Sequence, residues 1–129
     1  MKYRENWKDV EMEEKYINLE RISNLEKIGG KQFVRKLINS FHRNVSQKIE
    51  SAKEGVRSGN LEAVERAAHS IKSSAGNLGA ARLEEISGNI EKIAESNEDI
   101  NYDELILKLE NAYNEIKPEL NRILEEFRG

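Results

Sequence analysis

Apolar residues recur every three or four positions along most of the chain, which is the period of an amphipathic helix. In the stretch 61–78 the apolar positions are Leu61, Val64, Ala68, Ile71, Ala75 and Leu78. This 3-4-3-4-3 spacing is typical of the seam of a helix packed in a bundle. Asn60 is the predicted N-cap of this helix, and Gly79 is predicted to end it.

The same period predicts helices on both sides of this stretch. They cover residues 7–15, 19–28, 31–57, 81–96 and 102–127. Gly29-Gly30 is predicted to end the second of them, and 96–101 is predicted to be a loop. Pro118 lies inside the last stripe, which continues in phase across it, so we expect a kink or a local break at 115–117.

The fold class follows from these helices and from the short segments between them. No stretch shows the alternation of a β-strand, and short connections place neighbouring helices antiparallel. The sequence therefore predicts an all-α fold, an antiparallel up-and-down four-helix bundle with an additional N-terminal helix. Trp7 is expected to fasten that extra helix to the bundle. A length of 129 residues fits a single domain over 1–129.

Composition and charge exclude several classes of function. The absence of cysteine excludes disulfide scaffolds, thiolate zinc sites and cysteine nucleophiles. No apolar run is long enough to cross a membrane, and the first residues lack the apolar core of a secretory signal, so we expect a soluble, cytoplasmic protein with no membrane partner. A net charge of −3 argues against general nucleic-acid binding.

His69 is the better of two histidine candidates for nucleophilic chemistry. It lies one step off the apolar seam, and Lys72, Ser73 and Gly76 follow it within two turns. Glycine inside a helix costs ~1 kcal/mol of stability relative to alanine. The small side chains at Ser73 and Gly76 therefore suggest that a large group must reach the imidazole. A neutral imidazole nitrogen is nucleophilic near pH 7, and Lys72 can hold the oxygens of a phosphoryl group. By spacing alone, an ordinary surface histidine on an amphipathic helix is the favoured interpretation.

The run HSIKSSAGNLGA, residues 69–80, closely resembles the signature of histidine-containing phosphotransfer (HPt) domains. Their pattern is approximately A-H-x-L-K-[G/S]-S-[S/A]-[A/G]-x-[L/V/I]-G-A. Ile71 replaces the usual leucine, and Ser73 stands where many members have glycine. The resemblance covers about residues 17–127 and leaves 1–16 outside.

The resemblance assigns roles by position. It implies that His69 is the phospho-accepting residue, modified on Nε2, that Lys72 neutralises phosphoryl charge, and that Gly76 leaves the imidazole open. Ser74 matches a position that hydrogen-bonds near the site. Glu91 matches a position on the adjacent helix whose side chain bonds the imidazole Nδ1–H, which would fix the tautomer and leave Nε2 free. A solvated charge is an equally good interpretation of Glu91.

Other chemistries find less support. His42 has no lysine at i+3 and no glycine nearby, so it is predicted to be a solvated or rim histidine. A di-metal carboxylate bundle needs repeated Glu-x-x-His pairs, and the chain has only Glu65 and His69 at i, i+4, so no metal site is expected. No glycine-rich phosphate loop is present in the sequence. We therefore expect that the chain is not an enzyme and that it has no kinase activity and no nucleotide-binding site of its own.

The resemblance implies a phosphorelay intermediate of two-component signalling. Such a protein accepts a phosphoryl group from the aspartate of one receiver domain, within a hybrid sensor kinase or elsewhere, and passes it to another receiver domain. The resemblance also implies that the receiver supplies Mg²⁺ and that the chain needs no cofactor of its own. We expect a monomer. The alternative is a non-catalytic helical adaptor with no covalent chemistry.

An uneven charge distribution suggests where a receiver docks. Residues 29–60 carry seven basic and two acidic side chains, whereas 95–129 carry four basic and ten acidic ones. Lys36 and Arg43 in the basic helix, with Ser73 beside the histidine, are therefore candidate docking residues for an acidic receiver site. The alternative interpretation is that the basic residues of this helix only balance the acidic C-terminal segment.

Overall fold

A computed structural model of the chain describes residues 17–128, which form four helices joined by short turns. The helices are α1 (Leu19–Arg57), α2 (Leu61–Leu78), α3 (Ala81–Glu95) and α4 (Tyr102–Glu126). Asn18, Asn60 and Asn101 begin α1, α2 and α4, and the side chain of each accepts a hydrogen bond from a backbone N–H of the first turn. The predicted helix over 7–15, with Trp7, lies outside the described residues.

The helices pack as the predicted antiparallel bundle, and residues 17–128 contain no strand. Helix α1 packs against α2 and α4, and α3 packs against the same two helices. At one end of the α1–α2 pair, Gly55 lies against Asn60 and Val64. At the other end, the backbone N–H of Asn18 donates to the carbonyl of Gly79. The all-α, up-and-down fold class is therefore confirmed.

The core is built from the predicted apolar seams, and α2 follows its seam closely. Val64, Ala68, Ile71, Ala75 and Leu78 are all buried. Burying one such Val, Leu or Ile contributes ~1.5–3 kcal/mol relative to leaving it exposed. Since these residues fix the rotation of α2 about its axis, they also fix which of its faces points to solvent. No helix of the described part of the chain is long and apolar enough to cross a membrane.

Two interruptions of the helical pattern were predicted, at Gly30 and at Pro118. Gly30 is non-helical, with φ 85° and ψ 175°, and it divides α1 into two helical segments as predicted. Such a positive φ is open to glycine because glycine has no Cβ. Of the kink or local break predicted at 115–117, the break is wrong, because α4 runs continuously through Pro118. Proline has no N–H, so the helix lacks one backbone hydrogen bond at Pro118. Ile116 and Leu120 are buried on either side of it, and this packing keeps the segment helical.

Candidate functional site

The antiparallel contact between α2 and α3 lines up three pairs of residues at successive levels. His69 lies opposite Glu91, with Nδ1 and Oε2 2.6 Å apart. The stem of Lys72 passes over Gly88, and Gly76 lies under the carboxylate of Glu84. At the second and third levels a long side chain on one helix meets a glycine on the other. The site is therefore a continuous polar strip along the outside of the α2–α3 pair.

His69 presents its imidazole to solvent in one defined tautomer. Its side chain is 60% exposed, although it is anchored through Nδ1. An ionised carboxylate can only accept hydrogen bonds, so Nδ1 must carry the proton that it donates to Glu91. Nε2 then keeps its lone pair, which makes it the nucleophilic nitrogen of the ring.

Glu91 joins the histidine to the lysine. Its Oε1 accepts a hydrogen bond from Lys72 Nζ at 2.6 Å, while Oε2 accepts from His69, and its side chain is only 16% exposed. Burial acts to raise the pKa of the Glu91 carboxyl, but the hydrogen bonds from Lys72 and His69 outweigh it, so the net pKa is lowered. Of the two interpretations left open by the sequence, the structure places Glu91 as a partner of the imidazole and not as a solvated charge.

Gly88 is a residue that the sequence analysis missed. It lies inside α3, one turn before Glu91, and a Cβ added to it would lie 3.3 Å from Lys72 Cδ. The lysine stem therefore runs close over the bare backbone of Gly88 on its way back towards Glu91. An unexplained glycine inside a predicted helix was the only sequence signal for this contact, since glycine is unfavourable there.

Gly76 has ordinary helical geometry, so its lack of a side chain matters through space and not through backbone conformation. A Cβ added there would lie 2.9 Å from Glu84 Oε2 and 3.2 Å from Glu84 Cδ. Glu84 is exposed, and these atoms are the far end of a flexible side chain. The space above Gly76, which the sequence predicts to be open, therefore holds a carboxylate that can swing into solvent.

The two serines after Lys72 have different surroundings. Ser74 Oγ accepts a hydrogen bond of 2.7 Å from Asn44 Nδ2 on α1, and Ser70 Oγ donates to the Oδ1 of the same asparagine at 3.4 Å. The structure thus places Ser74 in the α1–α2 contact and not against the imidazole, which α3 holds. Ser73 is exposed on the His69 side of the helix. Local spacing gave no signal for Asn44, because this contact joins residues far apart in sequence.

His42 belongs to a separate aromatic cluster between α1 and α4. Its Nδ1 lies 2.6 Å from the hydroxyl of Tyr113, and its Nε2 is buried without a hydrogen-bond partner in the described part of the chain. Burial lowers the pKa of His42, and the positive charge of Lys117 lowers it further. His42 is therefore half-buried and packed. This agrees with the rim alternative of the prediction and corrects the solvated one, and His42 lacks the exposed nitrogen that His69 offers.

The candidate docking residues of α1 are both exposed. Arg43 directly precedes Asn44, so it lies at the level of the α1–α2 contact beside the site, and its guanidinium donates to Ser40 Oγ at 3.2 Å. Lys36 lies about two turns nearer the start of α1. Neither is hydrogen-bonded or ion-paired to His69, Lys72 or Glu91 among the described residues.

An acidic groove continues the strip beyond Glu91. Its lining residues are Glu62, Glu65, Arg66, Ala94, Glu95 and Asn97. Arg66 is paired with Glu62, so the remaining carboxylates leave this end of the strip negative. Within residues 17–128 no group of three or more histidine or acidic side chains is arranged to hold a metal ion.

The chain is similar to known proteins both in sequence and in fold. The sequence model of the Hpt domain family matches residues 36–126, a span that includes the whole His69 strip. The crystal structure of histidine-containing phosphotransfer protein B (HptB) from Pseudomonas aeruginosa PAO1 aligns with a TM-score of 0.82, covering 87% of this chain and 96% of that chain at 19% sequence identity. At that identity the likeness shows the fold. No curated protein matches the chain.

Proposed function

The chain belongs to the Hpt domain family, the phosphotransfer domains of two-component signalling, and from this premise we propose that it is a phosphorelay intermediate that carries its phosphoryl group on His69. It takes the group from the aspartate of one receiver domain and gives it to another.

The observation that supports this proposal best is the state of the His69 ring. Nδ1 is held by Glu91 at 2.6 Å while the side chain stays 60% exposed. A ring fixed through one nitrogen and open at the other suits in-line attack on a phosphoryl group brought by a partner. An adaptor without covalent chemistry gives no reason for such an arrangement on the surface.

The proposed transfer balances without any proton leaving the site. The Nε2 lone pair attacks phosphorus, the bond from phosphorus to the aspartyl oxygen breaks, and its electron pair returns to the receiver carboxylate. The ring keeps its Nδ1 proton and becomes a phosphoimidazolium, whose positive charge lies against the Glu91 carboxylate. In the onward step the P–N electron pair returns to Nε2, which restores the neutral ring.

Lys72 is proposed to offset the charge of the phosphoryl oxygens. Its Nζ is 2.6 Å from Glu91 Oε1, on the same carboxylate that holds His69, and its side chain is 37% exposed. The ammonium group therefore already lies beside the imidazole ring before a phosphoryl group binds. Lysine has three donors, so it can contact a phosphoryl oxygen and Glu91 together.

The partner in this proposal is a response-regulator receiver domain, free or within a hybrid sensor histidine kinase. The receiver supplies Mg²⁺, and this chain contributes no cofactor and no nucleotide chemistry of its own. We further propose that residues 1–129 form one domain, that it acts as a monomer in the cytoplasm, and that Ser73, Lys36 and Arg43 contact the receiver.

Substitution of His69 tests the proposal. The purified chain is incubated with a phosphorylated receiver domain, and acid-labile label on it is followed with time. We expect the wild type to gain label and His69→Gln to gain none, with melting temperatures that agree closely, since the side chain is exposed and such substitutions usually change stability by within ~0.5 kcal/mol. His42→Gln is the matched control and should still be labelled. Labelling of His69→Gln would refute the assignment.

A further inference from the structure

A glycine inside α3 is the least expected residue of the strip. Gly88 has no positive φ and lies in no turn, so no backbone requirement of its own helix explains it. Glycine weakens a helix interior by ~1 kcal/mol relative to alanine. Lys72 is the side chain that a Cβ at this position would meet, at 3.3 Å from Cδ and 4.0 Å from Cγ.

The direction of the lysine side chain explains why this clearance matters. Side chains on a helix tilt towards its N-terminus, so Lys72 leans back along α2 in the direction of His69. Its stem crosses α3 at the level of Gly88, and its ammonium group reaches Glu91 one turn further along α3. A larger side chain at 88 would occupy the path of the stem and force the ammonium group outward, away from the carboxylate and the imidazole.

We infer that Gly88 is a positioning residue for phosphoryl transfer, which acts by keeping open the path along which Lys72 reaches Glu91 beside His69. The inference rests on the proposed function for its effect on transfer. Its effect on the Lys72–Glu91 pair is independent of that function. An alanine at 88 needs a shift of only a few tenths of an ångström in a flexible stem, whereas a leucine fills the path.

Two readouts on Gly88→Leu separate positioning from a general loss of structure. The pKa of Glu91, followed by NMR, should rise towards or above its ordinary 4.5, because the hydrogen bond from Lys72 helps to lower it. The transfer rate should fall by as much as it does in Lys72→Ala, roughly ten-fold for the loss of one charge-assisted contact. Gly88→Ala should change both values in the same direction but much less, because the lysine stem has to move by only a few tenths of an ångström, and it should melt at the same or a higher temperature. Asn89→Leu places the same side chain on the adjacent exposed position and should change neither.

The double variant Lys72→Ala/Gly88→Leu completes the test. If Gly88 acts through the lysine, the double variant transfers no more slowly than Lys72→Ala alone. A further loss in the double variant, or a Glu91 pKa unmoved in Gly88→Leu, overturns the inference. If the wild type takes up no phosphoryl group at all, the proposed function fails, while the Glu91 pKa of the folded variants still decides whether Gly88 positions Lys72.

Discussion

Removal of the Glu91 carboxylate is the perturbation whose consequences the structure defines best. Glu91→Ala deletes the acceptor of two short hydrogen bonds, from His69 Nδ1 and from Lys72 Nζ, both at 2.6 Å. A hydrogen bond to a charged group contributes ~1.5–3 kcal/mol when it is buried. Because the donors are 60% and 37% exposed, solvent screening reduces this, and we expect a total loss of ~1 kcal/mol.

Stability and transfer should respond to very different extents. A loss of ~1 kcal/mol lowers the melting temperature of a domain of this size by roughly 3–5 °C. Transfer from a phosphorylated receiver should slow by roughly ten-fold or more, as when the orienting partner of a functional histidine is removed. Glu95→Ala, one turn further along α3 and exposed, is the matched control and should leave both quantities nearly unchanged.

The pH dependence has a definite sign. The folded-state pKa of Glu91 lies below its ordinary 4.5, so the contribution of the carboxylate to stability is complete above that value and is lost as the pH falls through the lowered pKa. The difference in unfolding free energy between the wild type and Glu91→Ala should therefore shrink on acidification below pH 4.5. The reasoning is refuted if Glu91→Ala transfers at the wild-type rate with the Nδ1–H tautomer of His69 intact in ¹⁵N NMR spectra.

Four further substitutions test other parts of the surface and core. Gly76→Gln should block transfer with a nearly unchanged melt, and full activity would show that the receiver approaches from another side. The pKa of His42 is lowered by burial and by Lys117, so its contribution to stability is complete above pH 6.5 and is lost as the pH falls through the lowered pKa. Urea melts should show a steeper acid-induced loss in the wild type than in His42→Phe, and equal slopes would contradict the assignment. Arg43→Glu or Lys36→Glu should slow receiver association several-fold at low salt, with the difference shrinking as salt screens charges over ~8–10 Å. Unchanged association rates would leave the basic helix without a docking role.

The parts of the molecule that depend on local sequence were predictable. The apolar period and the caps placed α2 at Leu61–Leu78, because helix ends are set by residues within one turn of them. The position of His69 off the buried seam followed from the same period. The Gly30 interruption was also visible, since two adjacent glycines rarely continue a helix.

The remaining features depend on contacts between residues far apart in the chain. The sequence left His42 as either a solvated or a rim histidine, and only its pairing with Tyr113 shows that it is packed. Pro118 breaks no helix, because burial on both sides outweighs one missing hydrogen bond. The glycine at position 88 is explained only by the side chain of Lys72, which passes over it in the folded protein. Periodicity cannot supply such pairings, because it describes one helix at a time.

³¹P NMR of the chain phosphorylated by a receiver domain identifies the atom that carries the phosphoryl group. Because Glu91 holds Nδ1 of His69, we predict a single phosphohistidine signal at the shift of the Nε2 isomer, and this signal should be absent from His69→Gln. The signal should also disappear when an unphosphorylated receiver is added. A phosphorus signal from the Nδ1 isomer, from His42 or from any other residue type would contradict the assignment of the phosphoryl group to Nε2 of His69.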